Sequence, residues 1–391
     1  MVSGSTGRSK IMAKTSSDGR LTGKDRIKNN GHETQLRKML QQALVRQASD
    51  VHLIPGYPAS FRIHGRIHRG TDLSLDSDEI VEMLRELAPN RWCDAGDGRT
   101  DFDFSVTVPQ QDTIARFRAS VYVSHECWSA CLRHIPDEIP SLEWLGFPEE
   151  LADRLVAYAN GLVVVTGITG SGKTATLDAL VSRIRADVAR RVLTVEEPIE
   201  YVHGPGSGGI VSQREVGRDV PTFADGLKYG LRQDPDVILV GEIRDRETAH
   251  MALSAAETGH LILTTMHTRD AKGAVSRLVD LFPQEVQEDV RKQVANSLRS
   301  VVCQHLLPST EEGEKRTLAL EVLHINQQVR TAIRSGKLES IDSAMQTGKR
   351  DGMVLFDDDL QRLVGLNKIA AETARRIAKE PDAIRTTGTS W

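Results

Sequence analysis

The chain has 391 residues, 39% hydrophobic and 27% charged, a composition too apolar for wholesale disorder. Its apolar runs fall far short of the roughly 18 residues that span a bilayer, and no cationic stretch followed by an apolar run opens it, so neither a membrane-embedded nor a secreted protein is expected. Fifty basic against fifty-four acidic residues leave a net charge of −4, which argues against a surface built as a whole for nucleic acid.

Residues 1–31 carry seven Lys or Arg against two Asp and show no hydrophobic period, as expected of a disordered basic tail. From 33 to 46, Leu36, Leu40, Ala43 and Leu44 line one helical face. Alternating apolar and polar residues predict strands over 61–68, 102–106 and 115–123. Between the first two, 78–87 reads as a helix that Asp76 or Ser77 can cap. Residues 32–135 therefore form an N-terminal α+β domain. Pro136 and Pro140 oppose both helix and central strand, and mark a linker over 136–150. Across 151–308 the pattern changes: continuous apolar runs at 162–165, 192–195, Val237–Val240 and 261–265 alternate with helical segments such as 175–186 and 248–257. That alternation predicts a parallel sheet covered by helices on both faces, an α/β core. Helical patterns at Gln327–Ser335, 341–347, 357–364 and 370–378 predict a helical C-terminal region over 309–391. Cys93, Cys127, Cys131 and Cys303 contain no CxxC pair and are expected to be reduced thiols.

One segment carries explicit chemistry. Gly167, Ile168, Thr169, Gly170, Ser171, Gly172, Lys173 and Thr174 fill the pattern GxxxxGK[ST], directly after a predicted strand and directly before a predicted helix. Glycines let backbone N–H groups turn inward around phosphate oxygens at the positive end of the helix. Lys173 then reaches the β- and γ-phosphates, and Thr174 offers its hydroxyl to Mg²⁺. The chain is expected to bind a nucleoside triphosphate.

A parallel sheet places its ligands beyond the carboxyl ends of its strands. The residues that follow those ends are Glu196 and Glu197, Gly241 and Glu242, and His267. Glu242 is the natural group to polarise an attacking water or to support the metal. His260 and His267 flank one strand and lie about 23 Å apart at about 3.3 Å per residue. Only His267 reaches the phosphate edge, which suits it to sense the γ-phosphate; His260 belongs to the opposite end or to a subunit contact. Arg116 and Arg118 share one face of a strand, and Arg133 closes the next strand. On residue type alone this is a solvated face; a triphosphate nearby would make it charge-stabilising.

These residues resemble the type II/IV secretion-system ATPases, and within them the PilT-type twitching-motility branch. The resemblance rests on Ala48-Ser49-Asp50-Val51-His52-Leu53, on an acidic box from Leu193 to Tyr201, and on Gln213-Arg214-Glu215-Val216-Gly217. It rests also on an atypical Walker B run from Leu231 to Asp245 and a histidine box at Thr258-Gly259-His260 and Met266-His267-Thr268. Ala332-Ile333-Arg334 and Met345-Gln346-Thr347-Gly348 resemble the C-terminal signatures of the retraction branch. The acidic box reads Glu-Glu-Pro where Glu-Asp-Pro is usual, and Ser335 replaces a familiar Asn. The resemblance implies a PAS-like N-terminal domain joined to a RecA-like P-loop NTPase domain, in a homohexamer on the cytoplasmic side of the inner membrane. It implies ATP and Mg²⁺ as cofactors, inner-membrane platform or secretion-machine proteins as partners, and no direct nucleic-acid contact. By carry-over, Glu242 is the catalytic glutamate, Glu196 the acidic-box glutamate, and Arg116, Arg118 and Arg133 reach the nucleotide. Pilus retraction is the leading expectation; a type IV secretion or conjugative transfer machine (Dot/Icm or IncI-like) is the alternative. The four-cysteine zinc element of extension motors has no counterpart.

Overall fold

The computed structural model describes residues 35–385, except 64–65, 71–72, 88–100, 111–112, 136–137, 187–189, 205–207 and 312–314. The basic tail expected over 1–31 lies outside the described residues, as does Cys93.

The N-terminal domain is built on a six-stranded antiparallel sheet. Its strands are β1 (Asp50–Leu53), β2 (Ser60–Ile63), β3 (Arg66–Arg69), β4 (Asp101–Gln110), β5 (Thr113–Ser124) and β6 (Cys127–Ile135), in the order β3-β2-β1-β6-β5-β4. Helices Gln35–Val45 and Ser77–Leu87 bury Leu36, Leu40, Ile80 and Leu84 in one core with Phe61, Phe104 and Phe117. Asp76 begins the second helix through reciprocal bonds, its carboxylate accepting from Glu79 N and its own N–H donating to the Glu79 carboxylate, both at 2.8 Å. The single strand expected over 61–68 is instead two, β2 and β3, paired Phe61 to His68. Alternation alone does not distinguish one long strand from two that fold back; here β2 keeps Phe61 in the core while all four β3 residues are exposed.

The rest of the chain is built on a seven-stranded sheet. It comprises β7 (Gly161–Thr166), β8 (Arg191–Glu196), β9 (Ile210–Glu215), β10 (Val237–Val240), β11 (Leu261–Met266), β12 (Leu298–Leu307) and β13 (Thr317–His324), ordered β13-β12-β7-β11-β10-β8-β9. All neighbouring pairs run parallel except β12 with β13. Strand residues alternate between two cores. Leu162 and Val164 enter the core that receives helices Arg246–Glu257, Ala271–Asp280 and Gln287–Ser297, whereas Val163 and Val165 enter the one that receives Glu149–Val156 and Lys173–Ala186. Burial on both faces is why these strands read as unbroken apolar runs.

Two boundaries differ from the sequence reading. The span 136–150, expected as a linker, contains the helix Leu142–Leu145, capped by Ser141, and the start of Glu149–Val156, whose Leu151 and Leu155 pack on the sheet. The prolines mark only its beginning. The region from 309, expected to be helical, opens with β13, which pairs with β12 along eight positions. The run 317–324 is nearly all buried, and helical and strand periods converge in so short an apolar segment. Helices Gln327–Ser335, Ser340–Thr347, Phe356–Gly365 and Ala371–Ile377 follow. Among the described residues, no helix is long and apolar enough to cross a membrane.

Candidate nucleotide site

The loop from Gly167 to Gly172 joins β7 to the helix Lys173–Ala186 at the carboxyl edge of the sheet. Gly167 has φ 142°, and a Cβ there would lie 2.3 Å from the Gln304 carbonyl oxygen, so neither the backbone nor the space admits a side chain. Gln304 Nε2 donates to the Ser171 carbonyl at 2.6 Å, so strand β12 braces the loop from the side. The Lys173 ammonium donates to the Gly167 and Ile168 carbonyls at 3.0 and 3.2 Å, and burial lowers its pKa. Thr169, Gly170, Gly172, Lys173 and Thr174 line the adjoining cleft; Ile168 points outward and Ser171 is buried behind the loop.

Glu242 and His267 emerge from neighbouring parallel strands, β10 and β11. Thr265 Oγ1 donates to the Gly241 carbonyl at 2.7 Å, which fastens one strand end to the other. The result is a row of charged and polar groups across the cleft floor. Arg244 Nη2 lies 2.6 Å from Glu242 Oε1, Glu242 Oε2 lies 3.4 Å from His267 Nε2, and His267 Nδ1 lies 3.5 Å from Lys173 Nζ. The Glu242–His267 approach is too poorly directed for a hydrogen bond, so Oε2 stays buried and without a hydrogen-bond partner. Burial, reinforced by the Lys173 charge, lowers the His267 pKa and favours neutral imidazole. His260 lies at the far end of β11, where its carbonyl accepts from Gly161 N and its Nδ1 contacts the Ala255 carbonyl oxygen at 3.2 Å.

Glu196 ends β8 and is 3% exposed. Its Oε1 accepts from Thr194 Oγ1 at 2.6 Å and Gln213 Nε2 at 3.2 Å, and burial raises its pKa to about 8. A carboxyl raised in the folded state takes up a proton that the unfolded chain releases. Its contribution is therefore greatest below the ordinary value near 4.5 and is lost as pH climbs towards about 8, at roughly 1.4 kcal/mol per pH unit. Glu196→Gln is expected to remove this slope: its stability relative to wild type should improve steadily from pH 6 to 8 in urea titrations. A constant difference across that range would show that Glu196 is ionised throughout.

The N-terminal sheet supplies the opposite wall. Arg118 and Arg133 are cross-strand partners, and both line the cleft. Arg118 donates to Asp103 (2.5 Å from Nη2) and lies 3.8 Å from Glu200, while Arg133 Nε donates to Asp50 at 2.8 Å. Arg133 sits two residues before the end of β6 rather than closing it. Arg116, expected to share their role, is directed elsewhere. Its guanidinium donates to the backbone carbonyls of Ile199 and Glu200 at 2.8 and 3.1 Å, so it grips the acidic loop instead of facing the cleft. The cleft between the two walls measures about 670 Å³.

Three contributors escaped the sequence reading. Glu200 lines the cleft together with Thr174, and burial raises its pKa against the opposing pull of the Arg118 charge and the Thr174 hydroxyl. Arg244 follows Glu242 by two residues, the spacing that puts extended residues on one side, and this was a legible signal. Gln304, with His305 beside it, interrupts the otherwise apolar run 301–307, a second legible signal.

Residues 27–390 match the family model described as "Type II/IV secretion system protein". The chain is 41% identical over 327 residues to the uncharacterized protein YggR of Escherichia coli, an alignment covering 82% of this chain and 95% of that one. It is 38% identical over 335 residues to the type IV pilus retraction ATPase PilT of Pseudomonas aeruginosa, covering 86% and 95%. Among solved structures, a pilus retraction motor PilT with bound ADP superposes with a TM-score of 0.79 at 36% identity, covering 90% of this chain and 98% of that one.

Proposed function

Because this chain belongs to the type II/IV secretion system protein family, we propose that it is a Mg²⁺-dependent ATPase that works as a homohexameric ring on a type IV pilus and drives its retraction. The observation that carries the chemistry is the row Lys173, His267, Glu242 and Arg244 on one sheet edge, within contact of one another and facing Arg118 and Arg133. Its likeness over nearly the full chain to a pilus retraction motor supports the choice of machine.

The donor set fits magnesium. The Thr174 hydroxyl and the carboxylates of Glu200 and Glu242 offer oxygen at one rim, and among the described residues no group of three or more His, Cys, Asp or Glu is placed to hold a metal. Magnesium takes one or two protein oxygens and completes its shell with phosphate and water. When bound it neutralises charge on the β- and γ-phosphates. The chain's own groups do the rest. Loop N–H groups and Lys173 hold the phosphates. Glu242 orients the attacking water and takes its proton at Oε2, the oxygen that lacks a hydrogen-bond partner. His267, between Glu242 and Lys173, adjoins the position of the γ-phosphate. Arg118 and Arg133 bring positive charge from the other domain, and Arg116 holds the acidic loop in place. A cytoplasmic position beside an inner-membrane platform completes the reading.

Removing the gene from its own bacterium and restoring either wild type or the Glu242→Gln form tests the proposal. Loss and Glu242→Gln are expected to leave abundant surface pili that no longer shorten under fluorescence microscopy, with wild type restoring shortening. Normal pilus shortening in the deletion strain, with a defect in protein export or plasmid transfer, would assign the motor to another machine.

A further inference from the structure

Asp178 lies one helical turn beyond Thr174 and so on the same face of the phosphate-loop helix. It is fully buried, and its Oδ1 meets His203 Nε2 at 2.9 Å, an imidazole whose side chain is equally buried. His203 closes the acidic loop that begins at Glu196. The rest of that loop is held at separate points. His203 N donates to Gln213 Oε1, and Gln213 Nε2 donates to Glu196 and to the Tyr201 carbonyl. Ile199 N donates to Glu215, which also accepts from Ser105 of the N-terminal sheet. Arg116 takes the Ile199 and Glu200 carbonyls. Asp178 therefore ties the loop to the helix that carries Lys173 and Thr174.

We infer that Asp178 and His203 are a positioning pair whose hydrogen bond sets the acidic loop against the phosphate-loop helix and thereby holds the Glu200 carboxylate at Thr174. The inference rests on the proposed reading of Thr174 as the magnesium-side oxygen of an ATP site. Burial moves Asp178 well up and His203 down, which favours uncharged forms of both and makes the contact a neutral hydrogen bond. Asp178 Oδ2 and His203 Nδ1 have no hydrogen-bond partner. Space-filling alone does not account for that arrangement, because an apolar pair would fill the volume without two orphaned polar atoms. A hydrogen bond adds what packing lacks, one distance and one direction.

The test is binding of a fluorescent non-hydrolysable ATP analogue to the full chain, with excess Mg²⁺ and separately with EDTA, alongside thermal melting. Asp178→Ala and His203→Ala are expected to weaken Mg²⁺-dependent binding about five- to tenfold, to change binding in EDTA less than about twofold, and to give no further loss when combined. Asp178→Asn keeps an acceptor for Nε2, and His203→Gln places an amide nitrogen where Nε2 stood; both are expected within about twofold of wild type. Should Asp178→Ala fail to melt cooperatively, His203→Ala and the two conservative variants decide. Unchanged Mg²⁺-dependent binding in the alanine variants would overturn the pair. So would equal losses in Mg²⁺ and EDTA that the conservative variants fail to restore, the signature of packing alone. If wild type itself gains no affinity from Mg²⁺, the reading of Thr174 falls, and the inference falls with it.

Discussion

Glu242→Gln is expected to lower ATP turnover at least about 10²-fold, or about 2.7 kcal/mol in the barrier, while nucleotide still binds. The amide matches the carboxylate in shape and keeps an oxygen for the Arg244 guanidinium, which lies 2.6 Å from Oε1. What it lacks is a basic site at Oε2, where a proton must go when water attacks. Steady-state hydrolysis and equilibrium binding of labelled ATP separate the two effects. Normal turnover would move the base elsewhere. Glu196 is then a poor substitute, since its pKa near 8 leaves it largely protonated at neutral pH.

The second large effect is expected at Lys173. Its ammonium is buried and donates to two carbonyls of its own loop, so it stands among the N–H groups that would receive phosphate. A charge-assisted hydrogen bond of this kind contributes about 1.5–3 kcal/mol. Lys173→Ala should therefore weaken ATP binding about 10- to 150-fold and bring turnover to the buffer background. The fold should survive, because alanine is the best helix former and burial already opposes the lysine charge. Circular dichroism and melting curves check that point, and wild-type affinity in the variant would refute the site.

Much of this site was legible because its parts are local. The phosphate loop is eight consecutive residues, and Glu196, Glu242 and His267 each follow an apolar strand, so strand direction alone gathers them at one edge. Relations between distant segments were not legible. Arg116, Arg118 and Arg133 form one pattern in sequence, but Arg116 turns to the carbonyls of residues 83 and 84 positions away, a contact no periodicity encodes. The same holds for Asp178 with His203, which looks in sequence like one carboxylate on an ordinary helix. β13 was missed for another reason. Its polar residues Thr317, Glu321 and His324 fall at the i, i+4, i+7 spacing of a helix, so the period points away from the strand that the burial of nearly every residue reveals.

The lateral brace from Gln304 bears on how far the proposed ATP site can be dissected. Strand β12 touches the phosphate loop through both its backbone and its side chain, and it stays at the sheet only between β7 and β13. The mould that shapes the loop is thus made from two stretches of chain more than a hundred residues apart. A fragment that stops after β11 would contain every residue of the motif yet leave one side of the loop open to water. The shortest piece that keeps the mould whole runs past His324, so the catalytic unit and the region that begins at 309 are not separable modules. Deletions meant to free this unit from its C-terminal helices have to be cut beyond β13, and changes in those helices that strain β13 reach the phosphate loop through Gln304 and Leu306 of β12.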